Sequence, residues 1–224
     1  MALSMRLVLR CGVLAAALLT GGVLAAAPVP QTAPAPTELA RLIQAHYDNV
    51  GAFTAGFIHT FKGGLLPQTT VERGTVKIKK PGRMRWVYQS PNQPEIIADG
   101  RMVYSYVKAD RVCYVSDMPQ GNEVSTAVLF LAGKGDLMRD FRAAASPGSS
   151  AVEWRVQLTP IKAQSEFTQL TLGVNPKTLA LLTLETVDVD GGVSSFRFTN
   201  LKENANLSDR DFLFTPPKGV DVIR

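Results

Sequence analysis

Cysteine and histidine are scarce in this chain, with two of each among 224 residues: Cys11, Cys113, His46 and His59. So few cysteines exclude a disulfide framework, and no His-x-x-x-His or Cys-x-x-Cys spacing exists from which a zinc or haem site is built. Neither a Gly-x-Ser-x-Gly elbow nor a Gly-rich phosphate loop is present. Paired carboxylates are equally thin. Asp188, Asp190 and Asp99 sit in turn sequences, and nothing along the chain brings Glu166 to Glu185 for acid/base work. The sequence carries no catalytic set and calls for no cofactor or metal.

Charge is also sparing. Charged residues make up 19% of the chain, with 24 Lys and Arg against 19 Asp and Glu. The densest basic cluster, Lys77, Lys79, Lys80, Arg83 and Arg85, lies around a single turn and is as well explained by a solvated face as by an anionic partner. After residue 27 no apolar run approaches the roughly 18 residues of a membrane-crossing helix. Hydrophobic residues nevertheless reach 46%, enough for one domain with a substantial core.

The one long apolar run is N-terminal. Arg6 and Arg10 precede Cys11 to Ala26, and Ala25-Ala26-Ala27 offers small residues for cleavage, so residues 1–27 read as a cleaved secretory signal. Arg10 directly before Cys11, with no apolar stretch ahead of it, argues against a lipoprotein processing site. Cleavage removes two arginines and no acid, taking the formal charge from +5 to +3. Cys113, then the only thiol, lies in the apolar stretch Val112 to Val115 and reads as a small buried hydrophobe.

Residues 28–36 form a Pro/Ala linker, and residues 37–224 read as a single domain. Thr37 is placed to cap an amphipathic helix carrying Leu39, Leu42, Ile43, His46, Tyr47 and Val50, which Gly51 ends. The period then changes to two. Strands are expected at 53–61, 69–80, 83–89, 95–98, 101–107, 111–116, 152–159, 168–174, 179–188, 193–201 and 212–215, with hairpin turns at Pro81-Gly82, Asp99-Gly100 and Asp190-Gly191-Gly192. Without crossover helices, parallel pairing is not expected. The run 123–132 reads as a helix whose Ala127 to Ala132 portion is apolar all round, and 136–141 as a further short turn or helix. The fold class is mainly β with α: a strongly curved antiparallel half-barrel of about ten or eleven strands, one face covered by a helical lid.

One residue departs from this pattern. At period two, Val76 and Ile78 share a face with Lys80, and Met84, Trp86 and Tyr88 form the apolar stripe of the next strand. A lysine ending an apolar face either snorkels to water or donates to backbone carbonyls at the end of a covering helix, where the helix dipole favours a cation.

Lys80-Pro81-Gly82-Arg83-Met84-Arg85-Trp86, then Pro91, Ile96-Ile97-Ala98-Asp99-Gly100, Val103-Tyr104-Ser105-Tyr106, and Phe212-Leu213-Phe214-Thr215-Pro216-Pro217-Lys218-Gly219-Val220 together resemble the LolA family of periplasmic outer-membrane lipoprotein carriers. The likeness runs from about Thr37 to the C-terminus. It implies a chaperone, not an enzyme, that takes acylated lipoproteins from the inner-membrane transporter LolCDE through the periplasm to the outer-membrane receptor LolB. A shuttle of this kind favours a monomer. The resemblance further implies a lid latch at Lys80, where the family usually has arginine. It assigns the acyl-chain cavity to Val76, Ile78, Met84, Trp86 and Tyr88, and the lid to Leu39, Leu42, Ile43, Val128, Leu129, Phe130 and Leu131. A half-barrel carrier or sensor of another hydrophobic ligand, such as a glycolipid, stands as the alternative.

Overall fold

The computed structural model describes residues 32–64, 68–90, 92–118, 131, 135–163 and 167–224. The expected signal segment 1–27, residues 28–31 of the expected linker, Pro91, and all of the expected lid helix 123–132 except Leu131 lie outside the described residues.

Helix α1 spans Pro36–Asp48. Thr37 does not cap it: Ala35 occupies the N-cap without a side-chain hydrogen bond, and Pro36 starts the helix. Proline is preset for the first helical turn because its φ suits the helix and its missing N–H has no intrahelical partner to lose. Leu39, Ala40, Ile43 and Tyr47 recur along one side and are buried, while the opposite side carries the exposed Glu38–Arg41 pair.

Among the described residues twelve strands follow: β1 (Ala52–Lys62), β2 (Thr69–Lys79), β3 (Arg83–Tyr88), β4 (Glu95–Asp99), β5 (Met102–Val107), β6 (Val112–Asp117), β7 (Phe141–Ala145), β8 (Trp154–Pro160), β9 (Gln169–Val174), β10 (Leu181–Val187), β11 (Val193–Glu203) and β12 (Asp221–Ile223). Short helix α2 (Leu137–Asp140) precedes β7, its first turn capped by the Asp136 carboxylate accepting from the Met138 and Arg139 N–H groups. All strands belong to one sheet in the order β12-β6-β5-β4-β3-β2-β1-β11-β10-β9-β8-β7. Two meanders, β1 to β6 and β7 to β11, meet along the β1–β11 seam, and the sheet stays open between its edges β7 and β12.

Three expectations are corrected here. Strand β7 has no counterpart in the sequence reading, because Phe141-Arg142-Ala143-Ala144-Ala145 lacks the β-branched residues that mark a strand. The segment 212–215 is not a strand: a 3-10 turn covers Asp209–Phe212, and the last strand is β12, which runs parallel to β6. Parallel pairing needs a long return rather than a crossover helix as such, and the chain from β6 to β12 supplies it.

Nor does a single face carry all the apolar burial. Register places Phe53, Ala55, Phe57, Val76, Ile78, Met84, Trp86 and Ala98 on the inner face, in one core with α1 and the inner residues of β8 to β11. Ile97, Cys113, Val115 and Phe212 are buried but stand apart from that core. Ile97 lies opposite Arg85 and Tyr104 on the outer face, and Phe214 sits 5.5 Å and 5.6 Å from the Tyr104 and Tyr106 rings. The C-terminal segment is thus a strap over the outer side of β3 to β5, with Cys113 and Val115 of β6 buried on that same side. Cys113 is buried as expected, and burial raises its thiol pKa.

Candidate functional site

The inner face owes its character to side chains that four strands bring together. Phe57 of β1 lies 5.2 Å from Trp86, 5.0 Å from Tyr88 and 5.8 Å from Phe196 of β11, and Trp86 also meets Phe198 at 6.3 Å. Mostly edge-on or tilted geometry lets aromatic quadrupoles attract while each ring keeps its large apolar area. Gly74 of β2 stands opposite Phe57, and a Cβ there would collide with the Phe57 ring and with the Val87 carbonyl. The absence of a side chain at one position is what lets a large ring lie across its neighbour.

Of the residues expected to form the cavity, Val76, Ile78, Met84 and Trp86 are buried on this face and Tyr88 is half-buried beside them. Leu39, Ile43 and Leu131 are buried and Leu42 is half-buried, whereas Val128, Leu129 and Phe130 lie outside the described residues.

Lys80 follows β2 directly, and its Nζ donates to the Tyr47 carbonyl in the last turn of α1. That turn presents carbonyls without intrahelical partners at the negative end of the helix dipole, a favourable place for a cation. Burial pushes the Lys80 ammonium below the ordinary lysine range, and the Asp48 carboxylate pulls the other way. Three further bonds fix α1. The Leu181 N–H donates to the Tyr47 hydroxyl at 2.9 Å, the Leu137 N–H donates to Gln44 Oε1 at 2.8 Å, and His46 Nε2 lies 2.9 Å from Glu203 Oε1. Burial raises the Tyr47 phenol strongly, so it stays protonated.

Sequence reading missed a polar group within the aromatic face. His59 Nε2 lies 2.7 Å from Ser194 Oγ, and Tyr88 Oη lies 3.2 Å from His59 Nδ1. The imidazole stacks flat on Phe196, with centroids 4.2 Å apart. Burial lowers the His59 pKa and pushes the Tyr88 phenol up to about 12, favouring the neutral form of both. The only sequence signal was inward phase: at period two from Phe53 and Phe57, His59 falls on the inner face.

On the outer face the basic cluster finds carboxylates. Lys77 lies 2.6 Å from Asp211, Lys79 2.6 Å and Arg83 3.4 Å from Asp209, and Arg85 2.6 Å from Glu95. The pairs to Asp209 and Asp211 fasten the strap, Arg85–Glu95 joins β3 to β4, and partial exposure keeps each contribution modest. Glu185 faces Arg155 at 3.8 Å, and Glu166 lies outside the described residues.

A profile described as "Outer membrane lipoprotein carrier protein LolA" matches residues 48–215. Proteins named outer-membrane lipoprotein carrier protein share 30% identity with the chain: that of Bordetella pertussis over 75% of the chain and 83% of its own length, and that of Nitrosomonas europaea over 88% and 92%. Among solved structures, an uncharacterized conserved protein from Thermus thermophilus has the same fold, with a TM-score of 0.50, 14% identity, and coverage of 83% of this chain and 98% of its own. The profile spans most of the inner face and the outer strap alike, and by that match the chain belongs to the LolA family of outer membrane lipoprotein carrier proteins.

Proposed function

We propose that this protein is a periplasmic chaperone that holds the acyl chains of lipoproteins against its inner face, between an inner-membrane transporter of the LolCDE kind and an outer-membrane receptor of the LolB kind. The reading rests on one observation above all. A continuous aromatic and aliphatic face is covered by a helix whose C-terminal turn receives a hydrogen bond from the Lys80 ammonium.

Each methylene kept from water is worth about 0.8 kcal/mol, so an acyl chain of some fifteen methylenes exposed to water costs on the order of 12 kcal/mol. A carrier must offset most of that and still release its load. It does so where loading exchanges one set of apolar contacts for another, so that the empty and loaded states lie close in energy. In this reading Lys80 is the latch, and Val76, Ile78, Met84, Trp86 and Tyr88 meet the chains. Leu39, Leu42, Ile43, Val128, Leu129, Phe130 and Leu131 belong to the cover. Lysine provides donors to helix carbonyls without the planar fork of arginine, so its hold is that of a point charge. No bond is made or broken in the cargo, which is why the sequence needs no catalytic set.

Incubation of the purified mature protein with spheroplasts tests this. Newly made acylated lipoprotein is expected in the soluble fraction as a one-to-one complex. Lipoprotein that stays membrane-bound while the transporter is active would assign the face to another hydrophobic ligand.

A further inference from the structure

The inner face is apolar at the α1 end, around Phe53, Ile78 and Met84, and polar at the other. There His59 of β1, Tyr88 of β3 and Ser194 of β11 converge from three strands beside Phe57, Trp86 and Phe196. Glu72 faces His59 across the β1–β2 pair. A polar group within an aromatic surface costs desolvation unless its hydrogen bonds are met, so its presence asks for an explanation.

The donor count supplies one. A neutral imidazole has one donor and one acceptor, and the Tyr88 and Ser194 hydroxyls bring one hydrogen each. Two hydrogen bonds join the three groups, so three hydrogens serve two bonds. With the proton on Nε2, Tyr88 donates to Nδ1, Nε2 donates to Ser194, and the Ser194 hydrogen is left over. In the other tautomer Ser194 donates to Nε2, Nδ1 donates to Tyr88, and the Tyr88 hydrogen is left over. Either way one hydroxyl donor remains, and among the described residues no acceptor answers it.

Resting on the carrier reading above, we propose that His59, Tyr88 and Ser194 form a head site that donates a hydrogen bond to an acyl carbonyl of the ligand, the ester or amide where chain joins head. The ligand then has a fixed direction. Its carbonyl lies at the His59 end, its chain runs past Phe57 and Trp86 toward α1, and its peptide leaves by the Glu72 side. The apolar strip alone binds any hydrocarbon, whereas a donor at one end sets register and selects acyl compounds over plain alkyl ones, because a half-buried donor that a bound chain cuts off from water penalises a ligand without a carbonyl.

The test uses mature protein with a synthetic dipalmitoylglyceryl-cysteinyl peptide and its dihexadecyl ether analogue, which keeps the chains and lacks the ester carbonyls. Wild type is expected to bind the ester probe more tightly. Of Tyr88→Phe and Ser194→Ala, both checked for an unchanged thermal transition, the one that removes the free hydroxyl should weaken ester binding about fivefold and the other by less, and both should leave ether binding within about twofold. A short-chain diacyl phospholipid separates the sources of the carbonyl. Losses confined to the lipopeptide assign the site to the lipoprotein junction, and equal losses for the phospholipid assign it to acyl esters at large. Equal wild-type affinity for ester and ether, or equal losses for both in the variants, would overturn the head site and leave the carrier reading standing. Failure of wild type to bind either probe would overturn the carrier reading and the head site with it.

Discussion

The two faces of the one sheet are built from alternate residues of the same strands, yet they do opposite things. In β3, Met84 and Trp86 point inward to rings and aliphatic chains, while Arg83 and Arg85 point outward to Asp209 and Glu95. The inner face is covered by a helix whose last turn Lys80 contacts, and the outer face by an irregular strap held by three ion pairs, the Arg85 bond to the Asp211 carbonyl and the buried Phe212. What separates them is the nature of the cover. The strap's charges and aromatic plugs bind it to fixed partners, whereas the inner cover presents mostly apolar surface, which in the proposed function an acyl chain of similar volume replaces. A face built for exchange needs non-directional contacts, and a face built for permanence can use directional ones.

The sharpest way to break that comparison is to delete one buried aromatic from each side. Phe57→Ala should destabilise the fold by about 3–5 kcal/mol and also lower the affinity of the remaining folded protein for an acyl probe. Phe212→Ala, equally buried under the strap, should cost a comparable amount in urea denaturation with acyl binding unchanged. Loss of binding in both would show the faces to be coupled.

Gly74→Ala comes next. The new methyl meets the Phe57 ring and a backbone carbonyl, so about 1–3 kcal/mol of overpacking is expected, together with a shift of Trp86 fluorescence as Phe57 is displaced. Lys80→Leu should change stability by less than about 1.5 kcal/mol, since the half-buried stem is kept in volume and what goes is the contact to the Tyr47 carbonyl and the attraction to Asp48. Its effect should instead fall on lipoprotein release or hand-over, read in the spheroplast assay, with Lys80→Arg retaining function. Wild-type transfer by Lys80→Leu would leave Lys80 as a snorkelling residue.

The smallest expected effect is on the outer face. Lys77 and Lys79, by hydrogen bonds and charge, hold Asp211 and Asp209 below the ordinary carboxylate range. A carboxylate with a depressed folded pKa stabilises the fold above its unfolded value, near pH 4, and that contribution is lost as pH falls through the folded value. The doubly substituted Asp209→Asn, Asp211→Asn protein should therefore show a flatter loss of stability below about pH 4, and a weaker salt dependence at pH 7, with acyl binding unaltered.

Much of this was legible in the sequence, and what was not has physical causes. Period-two patterning located the inner stripe of Val76, Ile78, Met84 and Trp86, because burial on one face leaves a repeating mark. Lys80 stood out as a charge in an apolar phase. The strap did not, because Phe212 and Phe214 with intervening Leu213 look like a strand, and only tertiary contact shows that prolines at 216 and 217 and the ion pairs hold an irregular segment there. Strand β7 was hidden by its alanines. The His59 group was hidden because its three members lie far apart along the chain, at residues 59, 88 and 194, and only the β1–β2–β3 and β1–β11 registers bring them together.

The most direct test of the inner face as the lipid-binding face uses neighbouring residues of one strand. A photo-crosslinking amino acid is placed at Trp86, facing inward, or at Val87, facing outward, and each protein is loaded with lipoprotein carrying radiolabelled acyl chains. The account predicts labelled acyl adducts from position 86 and none from position 87. Equal labelling from both, or labelling from 87 alone, would contradict it.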